Sequence, residues 1–211
     1  MRAISDASEF AEIFDVSRET GDRLVSLAAA VARWNPAINL VASGTIANIW
    51  SRHIADSAQL WALAPPAAKT WIDLGSGGGF PGLVIAIMAS DSSRPTAVTL
   101  VESDRRKAAF LSSVARDLDL PVAVLAQRAE TLALPPQDMV SARAFAPLER
   151  IIGHVVRLRR ATGHALLPKG RAYHKELDAA LRLWDFEYKL HPSMTDPDAA
   201  IIEIGAIHGQ R

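Results

Sequence analysis

The chain has 211 residues, 49% apolar and 22% charged, a composition that suits one globular domain with a modest extension. It contains no cysteine, which excludes disulfides, zinc–thiolate sites and cysteine nucleophiles and fits a reducing cytoplasm. Lys+Arg and Asp+Glu both number 23, so the overall basic excess common in nucleic-acid binders is missing, although basic residues cluster at Arg105-Arg106-Lys107, at Arg157, Arg159 and Arg160, and at Lys169 and Arg171.

Met1 to Asp6 carry no apolar leader core. The longest apolar run, Leu83 to Ala89, is far shorter than the roughly 20 residues of a membrane span, so a cytoplasmic protein is expected. Residues 5–34 read as helices: Phe10, Ile13 and Phe14 share one face, and Leu24, Leu27, Ala28, Val31 and Trp34 continue at helical spacing. Ser17 is the predicted N-cap of the second helix, and Asn35-Pro36 its predicted end. A third helix is predicted over about 46–63. Pro65-Pro66 then divides an N-terminal helical extension, 1–64, from an α/β domain, 65–211.

In that second part short apolar runs alternate with helical patterns. Strands are predicted at Thr70–Leu74, Ala97–Val101, Val122–Leu125, Asp138–Ala142 and His164–Leu167, with helices near 81–89, 104–118, 147–158 and 172–183. Two closing strands, near 185–190 and 200–207, have no helix between them and suggest an antiparallel ending. The fold class is therefore α/β: a Rossmann-like, mainly parallel seven-stranded sheet with helices on both faces, closer to class I methyltransferases than to dehydrogenases.

Asp73-Leu74-Gly75-Ser76-Gly77-Gly78-Gly79-Phe80-Pro81-Gly82 joins the first strand to a helix through a glycine turn. Such a turn lets backbone approach a ligand and adopt positive φ. Gly77 to Gly82 satisfies the dinucleotide pattern G-x-G-x-x-G, but it starts three residues past the strand, and Pro81 removes an N–H donor at the helix start. The register Asp-x-Gly-x-Gly begins on the strand itself. An acidic residue there suits the cationic amino-acid end of S-adenosylmethionine, making Asp73, Gly75, Ser76 and Gly77 candidate cofactor contacts. Glu102 ends the second strand, where a carboxylate can accept both ribose hydroxyls. Gln127-Arg128-Ala129-Glu130 follows the third, where a methyltransferase holds the adenine edge. A nicotinamide-dependent oxidoreductase is the alternative enzyme.

Absent residues narrow the acceptor. Methylation of pyrimidine C5 generally uses a thiolate, which this chain lacks. Methylation of exocyclic amines commonly uses an Asn/Asp-Pro-Pro-aromatic loop after the fourth strand; here that place reads Ser141-Ala142-Arg143-Ala144-Phe145. Arg recognises the acceptor pair O6 and N7 of guanine, and N7 carries no proton to remove. The six histidines show no metal-like spacing, so no metal is expected.

Four segments together resemble the ribosomal RNA small subunit methyltransferase G family, also called glucose-inhibited division protein B. They are Asn39-Leu40 with Arg52-His53-Ile54-Ala55-Asp56-Ser57; the glycine segment 73–82; Val101-Glu102-Ser103 with Arg106-Lys107 and Phe110-Leu111; and Arg128-Ala129-Glu130, Ser141–Ala144 and Lys169-Gly170. The resemblance implies N7 methylation of a guanine in the 530 loop of 16S ribosomal RNA, on naked RNA or the small subunit; a non-catalytic ribosome-assembly factor with a retained cofactor pocket is the alternative of another class. It also implies that Gly75, Phe80, Ala129, Glu130 and Arg143 contact the cofactor, while Arg106, Arg128, Arg143 and Lys169 line the reaction centre or hold RNA. The basic pair Arg106-Lys107 inverts the family's usual Lys-Arg, and Val41 stands where Thr is frequent. His53, Asp56 and Ser57 share a helix face, which suits a hydrogen-bond network tying the N-terminal helices to the glycine loop, with a catalytic role the alternative. Arg157, Arg159 and Arg160 are expected to form a solvated face, and the protein to act as a monomer.

Overall fold

The computed structural model describes residues 4–211, so Met1–Ala3 of the stretch read for a leader lie outside the described residues. Among the described residues no helix is long and apolar enough to cross a membrane.

The architecture grows outward from β1 (Thr70–Leu74). Its side chains alternate: Trp71 enters a core on one face of the sheet, while Ile72 and Leu74 enter a second core on the other. β1 pairs in parallel with β2 (Ala97–Val101) on one side and β4 (Gln137–Ala142) on the other. β3 (Val122–Leu125) lies outside β2, and β5 (Arg159–Lys169) outside β4. The last two strands, β6 (Trp184–Pro192) and β7 (Ala200–Gln210), pair antiparallel, with β7 against β5, giving the seven-stranded order β3-β2-β1-β4-β5-β7-β6. The chain leaves β1 towards β2 and later returns to its other side as β4. The carboxyl ends of these two strands thus flank the topological switch, where open α/β sheets bind ligands.

Helices cover both faces. Residues of α4 (Gly82–Ser90) and α5 (Arg105–Asp117) join the Trp71 core; residues of α6 (Leu148–Leu158) and α7 (Tyr173–Leu183) join the Ile72 core. α4 is buried all round from Gly82 to Ala89, so it lacks the polar face of a surface helix. The N-terminal segment contributes α1 (Ala7–Phe14), α2 (Arg18–Ile38) and α3 (Asp56–Leu63). Their Phe10, Leu24, Leu27, Val31 and Leu60 belong to the same core as Trp71 and α4.

Three local expectations need correction. α2 does not stop at Asn35-Pro36 but runs to Ile38, with Pro36 inside it. Proline removes its own N–H bond and crowds the preceding turn, but the final turn is secured elsewhere: Asn39 N–H donates to the Asn35 carbonyl (2.9 Å) and Val41 N–H to Asn35 Oδ1 (2.8 Å). The predicted helix 46–63 is three pieces: a 3₁₀ segment Ser43–Asn48, a π-helical segment Trp50–Ala55, and α3. β5 begins at Arg159 rather than near His164, directly after α6.

Candidate active site

The glycine loop is built by backbone bonds to the neighbouring strand. The amides of Gly75 and Ser76 both donate to the Val101 carbonyl, at 2.9 and 3.0 Å, and the Ser76 hydroxyl donates back to the Asp73 carbonyl at 3.0 Å. Gly75 and Gly77 adopt φ of +68° and +54°, a region that favours glycine. Glu102 ties the loop to β2. Its Oε2 accepts Gly77 N–H at 2.9 Å and its Oε1 accepts Asp104 N–H at 2.8 Å, with the residue 8% exposed.

Asp73 does not lie where the sequence reading puts it. It is fully buried beneath the loop: Oδ1 accepts the Ser141 hydroxyl at 2.7 Å and Oδ2 accepts Gly82 N–H at 3.1 Å. Trp71 Nε1–H completes the chain by donating to Ser141 Oγ at 2.9 Å. Burial pushes the Asp73 carboxyl up to about 6 against the lowering effect of these hydrogen bonds. Asp73 therefore caps the start of α4 and takes the amide that a dinucleotide pyrophosphate would need there.

Above the loop opens a cleft of about 670 Å³ lined by Gly75, Ser76, Gly77, Phe80, Glu102 and Arg128–Glu130, among others. A second chamber of about 430 Å³ is lined by Arg52, Asp56, Lys169, Glu176 and Thr195, among others. The two have a common wall of His53, Arg143, Ala144 and Phe145. Arg143 leaves the carboxyl end of β4. Its NH1 donates to the Arg52 carbonyl at 3.1 Å and to Asp56 Oδ2 at 3.2 Å, and its NH2 meets His53 Nδ1 at 2.8 Å. Its guanidinium carbon lies 5.5 Å from the centre of the Phe80 ring. The π segment supplies both Arg52 and His53, consistent with the frequent use of such turns at functional sites. His53 Nε2 lies 2.7 Å from Thr45 Oγ1. Burial foremost, then the charges of Arg143 and Arg52, lower the His53 pKa to about 3, so the imidazole is neutral.

Lys169 ends β5 with only 8% of its side chain exposed. Its Nζ donates to Glu176 Oε2 at 2.7 Å and to the Ala146 carbonyl at 3.0 Å. The same Oε2 accepts Leu148 N–H at 3.0 Å, so Glu176 of α7 also caps α6.

A family model described as rRNA small subunit methyltransferase G matches residues 21–200. The chain belongs to this family. A relative of that name from Rhodospirillum centenum is 48% identical over 201 residues, covering 95% of this chain and 91% of the relative. Another, from Paracoccus denitrificans, is 49% identical over 190 residues, covering 90% and 96%. Among solved structures, cofactor-bound Rv0187 from MTB superposes with a TM-score of 0.59 at 16% identity, covering 87% of this chain and 89% of that one. The O-methyltransferase TomG from Streptomyces achromogenes, solved with SAM, gives 0.57 at 14% identity, again covering 87% and 89%. These likenesses show the class I methyltransferase fold, as the alternation of strands and helices predicts.

Within this family member the residues named from sequence separate into groups. Gly75, Ser76, Gly77, Phe80, Glu102, Arg128, Ala129 and Glu130 gather around the first cleft, Lys169 stands in the second, and Arg143 in the wall between. Arg106 does not line either; its side chain is 71% exposed beside Asp104, and Lys107 lines the cleft instead. Asp104 caps α5 by accepting from Arg106 N–H and Lys107 N–H, which fixes the helix rotation that separates these two side chains. The His53 network ties the N-terminal segment to the turn after β4, and meets the glycine loop at the Phe80 ring, 5.0 Å between ring centres. The arginine cluster is solvated at Arg157 and Arg160 and half-buried at Arg159, and its guanidinium groups also clamp backbone carbonyls. Arg157 binds the carbonyls of Ala129, Glu130 and Leu132, Arg159 those of Arg160, Ala161 and Gly163, and Arg160 that of Pro136. Phe145 and Glu176 are site residues to which the sequence assigns no role: Phe145 closes the Ser141–Phe145 segment after the fourth strand, whereas no local pattern points to Glu176.

Proposed function

We propose that the protein transfers a methyl group from S-adenosylmethionine to N7 of a guanine in the 530 loop of 16S ribosomal RNA, in the cytoplasm and as a monomer. The observation that carries this reading is the pair of chambers meeting at one wall, a cleft for the methyl donor and a separate chamber for the acceptor base. The first cleft fits the cofactor: Gly75 and Gly77 leave backbone bare of Cβ atoms at positive φ, and a carboxylate stands at the end of β2. Glu102 would hold the ribose hydroxyls, and Arg128–Glu130 the adenine. When bound, the cofactor supplies an electrophilic methyl group on a sulfonium.

The chain's own residues have a positioning task. Guanine N7 has a free lone pair, so no base is required, and alignment of the reacting atoms is the main demand. His53 suits this, since both its ring nitrogens are engaged and it is held neutral. Arg143 and Lys169 bring positive charge that can orient the base edge or its flanking phosphates, each pinned by a carboxylate. The capped start of α4 disfavours a nicotinamide dinucleotide in the same cleft.

The test is to incubate 16S RNA, and separately small subunits, with the protein and S-adenosylmethionine, then treat the RNA with borohydride and aniline, which cleave at N7-methylguanine. Cleavage within the 530 loop is expected. Methyl incorporation without a cleavable guanine overturns the N7 reading; no incorporation on either substrate overturns the activity.

A further inference from the structure

Arg143 stands in the wall between the two chambers, and its position is not set by its own strand alone. A guanidinium can only donate, so at 2.8 Å His53 Nδ1 must accept from Arg143 NH2. The opposite side of the ring has its direction fixed as well. The Thr45 hydroxyl donates to the Ala42 carbonyl at 2.6 Å, leaving its oxygen to accept from His53 Nε2–H at 2.7 Å. One tautomer satisfies both contacts. It is the neutral ring with the proton on Nε2, and burial together with the nearby charges of Arg143 and Arg52 favours that neutral form.

The bonds to His53, to the Arg52 carbonyl and to Asp56 all come from the N-terminal segment. Asp56 is itself held, its Oδ1 accepting from the Thr195 hydroxyl and Gln59 Nε2, both at 3.0 Å. The turn that carries Arg143 has a soft point. Ala144 sits at φ +51°, a left-handed region that disfavours a residue with a Cβ, so contacts outside the turn are needed to hold it there.

We infer that His53 is a positioning residue for methyl transfer, its Nδ1 fixing the Arg143 guanidinium in the wall common to the cofactor cleft and the acceptor chamber. This rests on the functional reading above. The ring itself does no proton chemistry. Its contribution is an acceptor at one defined place, and an acceptor at any other place on the side chain does not replace it.

That distinction gives the experiment. In His53→Asn the side-chain oxygen can stand where Nδ1 stands, whereas in His53→Gln the amide reaches to the place of Nε2. Initial rates of methyl transfer to 16S RNA are compared for wild type, H53A, H53Q and H53N. Affinity for S-adenosylhomocysteine is measured by calorimetry and folding by thermal melting. H53A and H53Q are expected to lower kcat about 10- to 100-fold, the effect of losing one hydrogen bond to a charged group. Their Kd for S-adenosylhomocysteine should stay within about 3-fold, and H53N should recover most of the lost kcat. Three results overturn the inference: H53N as slow as H53Q, H53Q as fast as wild type, or a loss of rate that merely follows the unfolded fraction. A wild-type protein that methylates the RNA while the variants behave in one of these ways leaves the functional reading standing. A wild-type protein that transfers no methyl group sinks both.

Discussion

Gly75→Ala separates two reasons for a glycine in one experiment. An added Cβ at this position would lie 2.5 Å from Phe145 Cδ2, while the backbone sits at φ +68°. The left-handed backbone costs an alanine about 1–2 kcal/mol. Forcing a methyl group into the ring contact adds about 1–3 kcal/mol, so the total loss should be about 2–5 kcal/mol. Gly77 has φ +54° but nothing nearer than the Gly75 carbonyl oxygen at 3.7 Å, so Gly77→Ala should lose only the backbone part, about 1–2 kcal/mol. Gly44 has no atom within 4 Å and no positive φ, so Gly44→Ala should be neutral or stabilising by up to about 1 kcal/mol. Urea unfolding of the three variants gives the series. Adding Phe145→Ala to Gly75→Ala should return part of the loss, with a coupling of about 1–3 kcal/mol in a double-mutant cycle. If Gly77→Ala costs as much as Gly75→Ala, or the coupling is under about 0.5 kcal/mol, the ring contact does not determine this glycine.

The remaining expectations concern buried charge and the cleft walls. Asp73 is held at a pKa of about 6, above its ordinary 3.8, so the folded state binds the extra proton between those values and its stability falls as pH rises through that window. The stability difference between wild type and Asp73→Asn should therefore move against wild type by about 2 kcal/mol from pH 4 to pH 7, and a pH-independent difference in chemical denaturation would refute this. Glu102→Ala should weaken S-adenosylhomocysteine binding by roughly 1–3 kcal/mol in calorimetry without changing which base is methylated; unaltered affinity would leave Glu102 as a loop tie only. Arg157→Met removes the clamp on the carbonyls of Ala129, Glu130 and Leu132, and should cost about 1–3 kcal/mol of stability. It should also raise the Kd for S-adenosylhomocysteine, and a destabilised variant with normal affinity would show that this wall does not need the clamp.

What the sequence discloses follows the range of the forces involved. The parallel strands are short apolar runs, so Thr70–Leu74, Ala97–Val101 and even the edge strand Val122–Leu125 are legible to the residue. The glycine loop is legible because its conformational demand is written in the residues themselves. Asp73 is not: its position before the loop is shared by a ligand contact and a helix cap, and only the approach of Ser141 and Gly82 decides between them. Pro36 misleads because the bonds that extend α2 past it come from Asn35 and reach forward to Asn39 and Val41. The arginines near 157–160 read as a charged surface, and Arg157 and Arg160 are exposed, but their clamping role is not legible. Their carbonyl partners lie up to 28 residues away, and no local pattern carries that information. Between Arg106 and Lys107 the rotation of α5 decides, and the cap at Asp104 is the only local clue.

The core joining Phe10, Leu24, Leu27 and Val31 to Trp71, Leu83 and Leu100 has a dynamic consequence. Segments with a common apolar interior open together, because separating them exposes both sides at once. Amides in the middle of α2 should then exchange with solvent at rates near those of β1, rather than at the faster rates of a detachable appendage. The wall holding His53 and Arg143 would inherit that slowness. Fluctuations admitting the base must arise in the turns around the chambers, while the two halves of the molecule breathe as one.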